Sequence, residues 1–471
     1  MKENKCTIPA DQILFAIPAA LYIATPLIDI IIRFFRAMTN RSRWATFEII
    51  PWLPAISLGV MAVALVVRLV INKDRSLIRK ALQRTRTFQT TLLIFVLYMG
   101  LVLMSIGVNG FTYYAVHGHP YTLMSMWTYM ANVMIFLFIS SLVYDERVKG
   151  FLVKALCIIA TLYALYGIVE YIMQPYSDYL RGTFHNSNHY GYYLAVSISL
   201  TASMIVEMME RREQPGIVKA DMRGTMIGIW CVMMLIQCVA LGYNNCLGAW
   251  IAVLFVHVFL LVVYRIRDGR FNRCVLLPFA IFICTSIACS FFTQNIFTSI
   301  LRTATDVQSI AQGVASADEA GSGRWLIWRL TVKHILERPI FGNGIEGLLE
   351  IITLEGSNTG SPHNEYLEYM AFFGVPAGIC YIAACVSVFI HGLKYKKELN
   401  AATLVCLAGG FGYLVSAFFG VCFYYTVSYP FIFLGLSLNF AQKDRPKVPE
   451  IIQPPISPAD DLTAEQIETT L

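Results

Sequence analysis

Apolar runs of about 20 residues, each bounded by polar or charged positions, recur along this chain, and a run of that length crosses a bilayer only as a helix that satisfies its own backbone. Twelve such runs open near Gln12, Phe47, Phe88, Tyr121, Gly150, Asn188, Met222, Cys246, Cys274, Tyr366, Ala401 and Cys422. With 57% hydrophobic and only 14% charged residues over 471 positions, the composition lies outside that of ordinary soluble domains. The expected fold is all-α: a polytopic integral membrane protein of about twelve transmembrane helices. The first run contains Pro18, Pro26 and Asp29 and is therefore expected to be kinked or shallow.

Basic residues in short loops are retained on the cytoplasmic side. Lys73, Arg75, Arg79, Lys80, Arg84 and Arg86 lie between spans two and three, and Arg211, Arg212, Lys219 and Arg223 between six and seven. Arg265, Arg267, Arg270 and Arg273 follow span eight, and Lys394, Lys396 and Lys397 follow span ten. The alternate loops are nearly free of positive charge, as at 109–120 and 242–245, and are assigned outside, which leaves both termini cytoplasmic. Arg36, Arg41 and Arg43 depart from this pattern: either that hairpin breaks the rule or its arginines meet an anionic ligand. The net charge of +6 is spread over separate cytoplasmic loops and gives no support to nucleic-acid binding. The cysteines within the spans have no ligand spacing and read as small packing residues. Lys2 and Lys5 precede the first run without a clear cleavage site, so it is expected to be a retained anchor. The bundle is expected to occupy residues 1–441, including an extracytoplasmic loop at 298–362. Residues 442–471, rich in proline and then acidic, read as a disordered cytoplasmic tail.

Polar chemistry concentrates in that long loop, and a long ordered loop is usually functional. After Gly321-Ser322-Gly323, the positions Trp325, Trp328, Val332, Ile335 and Leu336 recur at helical spacing until Pro339, which predicts an amphipathic helix. Arg324 falls in its first turn, where unpaired N–H groups and the positive end of the dipole favour an anion, and guanidinium adds a bidentate phosphate donor. The plainer alternative is an arginine at a solvated helix start. His363 stands just before span ten; it either takes a proton from a sugar hydroxyl or is a hydrogen-bonded interfacial residue. Asn364 either orients that ring or caps the next helix. In the loop before span six, Arg181 precedes a turn and then Asn188 at a helix start, which suits a second phosphate contact. His185 and His189, four apart, would share a helix face as metal ligands only if the segment did not turn between them. Trp325, Trp328, Tyr366, Tyr424, Tyr425 and Tyr429 either stack on sugars or form an interfacial belt.

Gly-x-Gly-Arg-Trp at 321–325, Arg-Pro-x-x-Gly-x-Gly at 338–344 and His-Asn-x-Tyr-Leu at 363–367, in this order across a long outer loop of a twelve-span chain, resemble the O-antigen ligase and O-antigen polymerase superfamily. The similar region runs from about Arg181 to Gly378. The resemblance implies an integral-membrane glycosyltransferase of the cytoplasmic membrane, multi-pass, with its active site on the extracytoplasmic side. Its donor would be a glycan on undecaprenyl pyrophosphate and its acceptor a sugar hydroxyl of a glycan or lipid-glycan. Transfer would be inverting and metal-independent, with no cofactor, in surface-polysaccharide assembly. By position, Arg324 matches the arginine expected to hold the pyrophosphate, His363 the histidine expected to assist the acceptor, and Arg181 and Asn188 the arginine and asparagine of the earlier loop. One departure stands out: the family often has a Ser-Arg pair before the Gly-Ala-Trp-like segment, where this chain reads Asn244-Asn245-Cys246-Leu247-Gly248-Ala249-Trp250. The arginine is missing there, and Asn244 or Asn245 would supply a neutral hydrogen bond in its place.

A transporter or lipid-linked glycan flippase is the rival class for a chain with this many spans. Such proteins carry internal repeats and midplane ionisable residues, whereas the span interiors here are nearly uncharged. A metal-dependent hydrolase on His185, His189 and His363 is a third reading, separable by chelation. The motifs do not distinguish a polymerase from a ligase, since both use the same donor chemistry.

Overall fold

The computed structural model describes residues 8–38, 52–71, 84–118, 123–173, 180, 182–184, 186–212, 220–293, 295–313, 318, 320–321, 323–355, 361–423 and 426–438, and all regular structure among them is helical. In chain order the α-helices are α1 (Ala10–Met38), α2 (Leu53–Val66), α3 (Arg86–Asn109), α4 (Tyr113–His117), α5 (Met126–Leu142), α6 (Glu146–Met173), α7 (Ser187–Arg212), α8 (Ala220–Asn244), α9 (Leu247–Asp268), α10 (Leu276–Thr293), α11 (Asn295–Gln312), α12 (Arg324–Glu337), α13 (Gly344–Leu354), α14 (Glu365–Phe373), α15 (Val375–Lys394), α16 (Ala401–Ala417) and α17 (Ser428–Leu438). Among the described residues nine helices are long and apolar enough to cross a membrane, and shorter apolar helices at Met126–Leu142, Ala401–Ala417 and Thr426–Leu438 occupy the remaining positions read as spans. The chain is an all-α, polytopic membrane protein. The expected tail at 442–471, and Arg41 and Arg43 of the first hairpin, lie outside the described residues.

α7 is the axis of the bundle: 89% of its apolar window is buried, against 22% for α2. It packs against α6, α8, α9 and α16. Small and hydroxyl-bearing residues make this possible, because Ser199, Thr201 and Ser203 return their hydroxyls to carbonyls one turn earlier and leave a narrow, satisfied helix surface. A polar tie crosses this core. Gln237 of α8 donates to the Thr161 hydroxyl (2.9 Å) and the Cys157 carbonyl (3.2 Å) of α6 and accepts from Thr201 of α7 (3.1 Å).

The tenth span requires a correction. Expected to open at Tyr366, it opens at Val375, and α14 before it is a separate helix. Gly374, at φ +92°, turns the chain there, and a Cβ on it would collide with the Ile340 carbonyl. Pro376, in the first turn of α15, has no amide hydrogen to carry the helix through from α14. The Arg-Pro-x-x-Gly-x-Gly turn is the other half of this joint. Val375 N donates to Pro339 O (2.7 Å) and Asn343 N to Ala371 O (2.8 Å). Gly342, at φ +65°, lets the backbone come so close to Phe372 that a Cβ would sit 2.5 Å from its carbonyl. Ser105 and Asn109 at the end of α3 both donate to Phe341 O. Gly342 thus joins the turn after α12 to α14 through backbone contact, and Ser105 and Asn109 tie that turn to α3.

Candidate functional site

The long loop holds three helices, α11, α12 and α13, rather than the single amphipathic one expected. Gly323, at φ +82°, starts α12 with no side-chain cap, and Asp306 of α11 braces the turn by accepting Gly321 N–H at 2.9 Å. Two of the cations on α12 are ion-paired: Arg329 with Asp318 (2.8 Å) and Lys333 with Glu355 (2.7 Å). Arg324 is half-buried, its backbone N–H donates to Gly321 O, and its guanidinium makes no hydrogen bond or ion pair among the described residues. Its guanidinium lies near enough to Tyr192 of α7, to Cys246 between α8 and α9, and to His363 to act electrostatically on each. A cation held at the junction of three segments without a carboxylate has the charge to attract an anion.

His363 is brought to this place by its neighbours. Trp328, one turn along α12 from Arg324, donates its indole N–H to the Pro362 carbonyl at 2.8 Å. On the other side, the Asn364 carboxamide oxygen accepts from Tyr366 N and Leu367 N, both at 3.1 Å, and caps α14. Between these fixed points His363 takes φ +50°, a region that histidine enters more readily than most residues. Its Nδ1 is buried with no hydrogen-bond partner. Burial, and then the nearby Arg324 charge, lower its pKa from 6.5 to about 4. The imidazole is therefore neutral near pH 7, with a ring nitrogen free to accept a proton.

The earlier loop meets the same junction from α7. Asn188, half-buried in the first turn of α7, receives the Cys246 thiol on its carbonyl at 4.0 Å, and its amide donates to Asn186 Oδ1 at 2.8 Å. Asn244 is buried and donates its amide to Leu180 O (2.7 Å) and Ser187 O (2.8 Å), which ties these two residues to the turn between α8 and α9. Gly191 makes this approach possible, since a Cβ there would lie 2.5 Å from Cys246 Cβ and 2.7 Å from Asn244 Oδ1. Cys246 occupies the N-cap position of α9 without a side-chain capping bond. His189 is buried and stacks on Phe423 at 4.1 Å. Arg181, His185, Tyr424 and Tyr425 lie outside the described residues. Tyr366 donates to Leu414 O at 2.5 Å and Tyr429 is buried in the core.

Two site-adjacent residues escaped the sequence reading. Glu365 and Glu368, on α14 directly after His363, are fully buried. Glu365 accepts the hydroxyls of Tyr381 (3.1 Å) and Tyr413 (2.7 Å), and Glu368 accepts the Cys422 amide (3.0 Å). Burial pushes Glu365 up to about 7 and raises Glu368 as well. The signal was present: carboxylates at i and i+3 in an otherwise apolar run are costly unless they serve a purpose.

Residues 232–382, from α8 to α15, match the family described as O-antigen ligase. No curated protein matches the chain. The matched segment contains Asn244, Arg324, His363 and Asn364, and it begins and ends within membrane helices. The chain is a polytopic membrane protein whose residues 232–382 are similar to the O-antigen ligase family, and this match supports the resemblance to the O-antigen ligase and polymerase superfamily.

Proposed function

We propose that this protein is a membrane glycosyltransferase that moves a glycan from undecaprenyl pyrophosphate to an acceptor sugar hydroxyl, on the outer face of the cytoplasmic membrane, as a surface-polysaccharide polymerase or ligase. One observation carries the reading: an unpaired Arg324 and a neutral His363 with a free buried nitrogen stand close enough to affect one another. A diphosphate leaving group calls for positive charge and a hydroxyl nucleophile calls for a base; this pair supplies both.

In the proposed step the acceptor oxygen attacks the anomeric carbon from the face opposite the pyrophosphate, so the configuration inverts. A new C–O bond forms as the bond to the pyrophosphate oxygen breaks. His363 takes the acceptor proton, and the departing negative charge settles on Arg324, with Arg181 as a second contact. Arg324 supplies the fixed charge at the leaving group, so the reaction proceeds without a metal. Asn188 and Asn244 stand at the same junction, Asn244 by holding Leu180 and Ser187. The distribution of Lys and Arg among the loops supports an extracytoplasmic site.

The experiment follows surface glycan and the lipid-linked pool in cells lacking the chain, complemented with unaltered protein, Arg324→Ala or His363→Ala. Both variants should insert normally and fail to restore surface glycan. Single repeats left on lipid would mark a polymerase, and long chains left on lipid would mark a ligase. An unchanged lipid-linked pool would overturn the transferase reading. Complete chelation should leave transfer by the purified protein intact; loss of transfer reversed by added metal would remove metal independence.

A further inference from the structure

α14 buries its two carboxyl groups without a compensating cation among the described residues. Three residues apart, Glu365 and Glu368 share a helix face. Around them stand Tyr98, Tyr129, Tyr369, Tyr381, Tyr413 and Cys422, all buried. Two ionised carboxylates in such a setting would repel each other in a medium that solvates neither. The arrangement suits neutral acids. Glu368 makes its bond to the Cys422 amide through one oxygen, while Oε1 is buried with no partner.

The segment that this bond fixes touches the candidate site on three sides. Phe418 meets the Trp328 ring edge-on at 5.6 Å, on the helix that starts at Arg324. The Phe419 carbonyl accepts the hydroxyl of Tyr192, itself within reach of the Arg324 charge. Phe419 also covers Gly248 of α9 so closely that a Cβ on the glycine would lie 2.6 Å from its own. Phe423 stacks on His189 of α7. One stretch of backbone, 418–423, therefore backs α7, α9 and α12 where they converge, and Glu368 ties it to the helix that follows His363.

We propose that Glu368 is a positioning residue: as a neutral carboxylic acid it holds the Cys422 amide, and through segment 418–423 it sets the placement of Arg324 and His363 relative to each other. This inference rests on the transferase reading of those two residues. A small error in such placement lowers the rate of the chemical step far more than it lowers binding.

The test uses the full-length protein reconstituted in lipid vesicles, with lipid-linked glycan extracted from cells lacking the chain as donor, and kcat taken per folded copy. Glu368→Gln keeps an oxygen for the Cys422 amide and should hold kcat within about twofold, while Glu368→Met removes the acceptor and should lower kcat on the order of tenfold at unchanged KM. Met variant kcat equal to that of unaltered protein would reduce Glu368 to a purely structural role and overturn the proposal. Equal losses in Gln and Met would show that negative charge is required, and would overturn it too. Should the Met variant not fold, Glu368→Asp serves, because it withdraws the acceptor by one carbon; undiminished kcat there sinks the proposal, and a loss rescued in Gln supports it. His363→Ala runs in parallel. If it transfers normally the site reading itself is wrong, whereas an inactive His363→Ala beside a fully active Met variant removes only the role of Glu368.

Discussion

Trp328 donates its indole N–H to the carbonyl of Pro362 across 2.8 Å, so the helix that begins at Arg324 also grips the residue before His363. Arg324 and His363 are thereby joined through one helical turn and one hydrogen bond. Trp328→Phe keeps a ring for Phe418 and removes the donor, leaving the Pro362 carbonyl without this partner. Loss of one such bond is worth about 1 kcal/mol. We expect transfer to fall several-fold with little change in the amount of folded protein, read as surface glycan formed per folded copy. Wild-type transfer would show that the latch is dispensable.

The pH profile follows from the depressed pKa of His363. In the free protein the ring loses its proton at about 4, below the ordinary 6.5, because burial and then Arg324 disfavour its charged form. The acid limb of kcat/KM, which reports the free enzyme, should therefore lie near 4. A bound pyrophosphate cancels the Arg324 charge and adds negative charge of its own, so the limb of kcat should lie higher. Stability follows the same sign. As pH falls from 6.5 towards 4 the unfolded chain binds a proton that the folded site refuses, and the contribution of His363 to stability is lost across that window. Measuring both limbs on purified protein decides the matter: a kcat/KM limb at 6.5 or above removes His363 as the base in this environment.

Arg324 and His363 stood out in the sequence because polar residues beside glycine turns are conspicuous in an apolar chain, whereas the contacts that bring them together did not. Trp328 to Pro362 spans 34 positions, and an indole in an amphipathic helix gives no sign of its acceptor. Span ends were readable where a cap closes them locally, as Thr85 does for Phe88 N and Asn400 for Thr403 N. The break at Gly374 was not, since what imposes it is the Ile340 carbonyl arriving from another part of the chain. Glu365, just before the run expected to open near Tyr366, and Glu368, just inside it, were given no role, because their partners Tyr381, Tyr413 and Cys422 come from elements farther along the chain.

Asn364 provides a test of stability set beside the site. Its side chain satisfies two first-turn amides of α14, and helix caps of this kind are worth roughly 1–2 kcal/mol. Asn364→Ala should lower the thermal midpoint of the purified protein, and Asn364→Asp, which keeps an acceptor, should restore most of it. If Ala melts where the unaltered chain does, the cap contributes nothing and the residue must be explained by contact with substrate.

The form of the charge at position 324 is the sharpest question for the site. Lysine would keep one positive charge and lose the planar fork that grips two phosphate oxygens at once. With no carboxylate holding Arg324 in place among the described residues, its guanidinium stands at the start of α12, within electrostatic reach of Tyr192 and Cys246. A flexible ammonium in that space would reach the diphosphate without matching its geometry. Arg324→Lys should therefore retain measurable transfer at least tenfold below the unaltered chain, with Arg324→Ala lower still, both with normal membrane insertion. Lysine performing as well as arginine in donor-saturation kinetics would mean that a point charge suffices, and the bidentate grip would have to be abandoned.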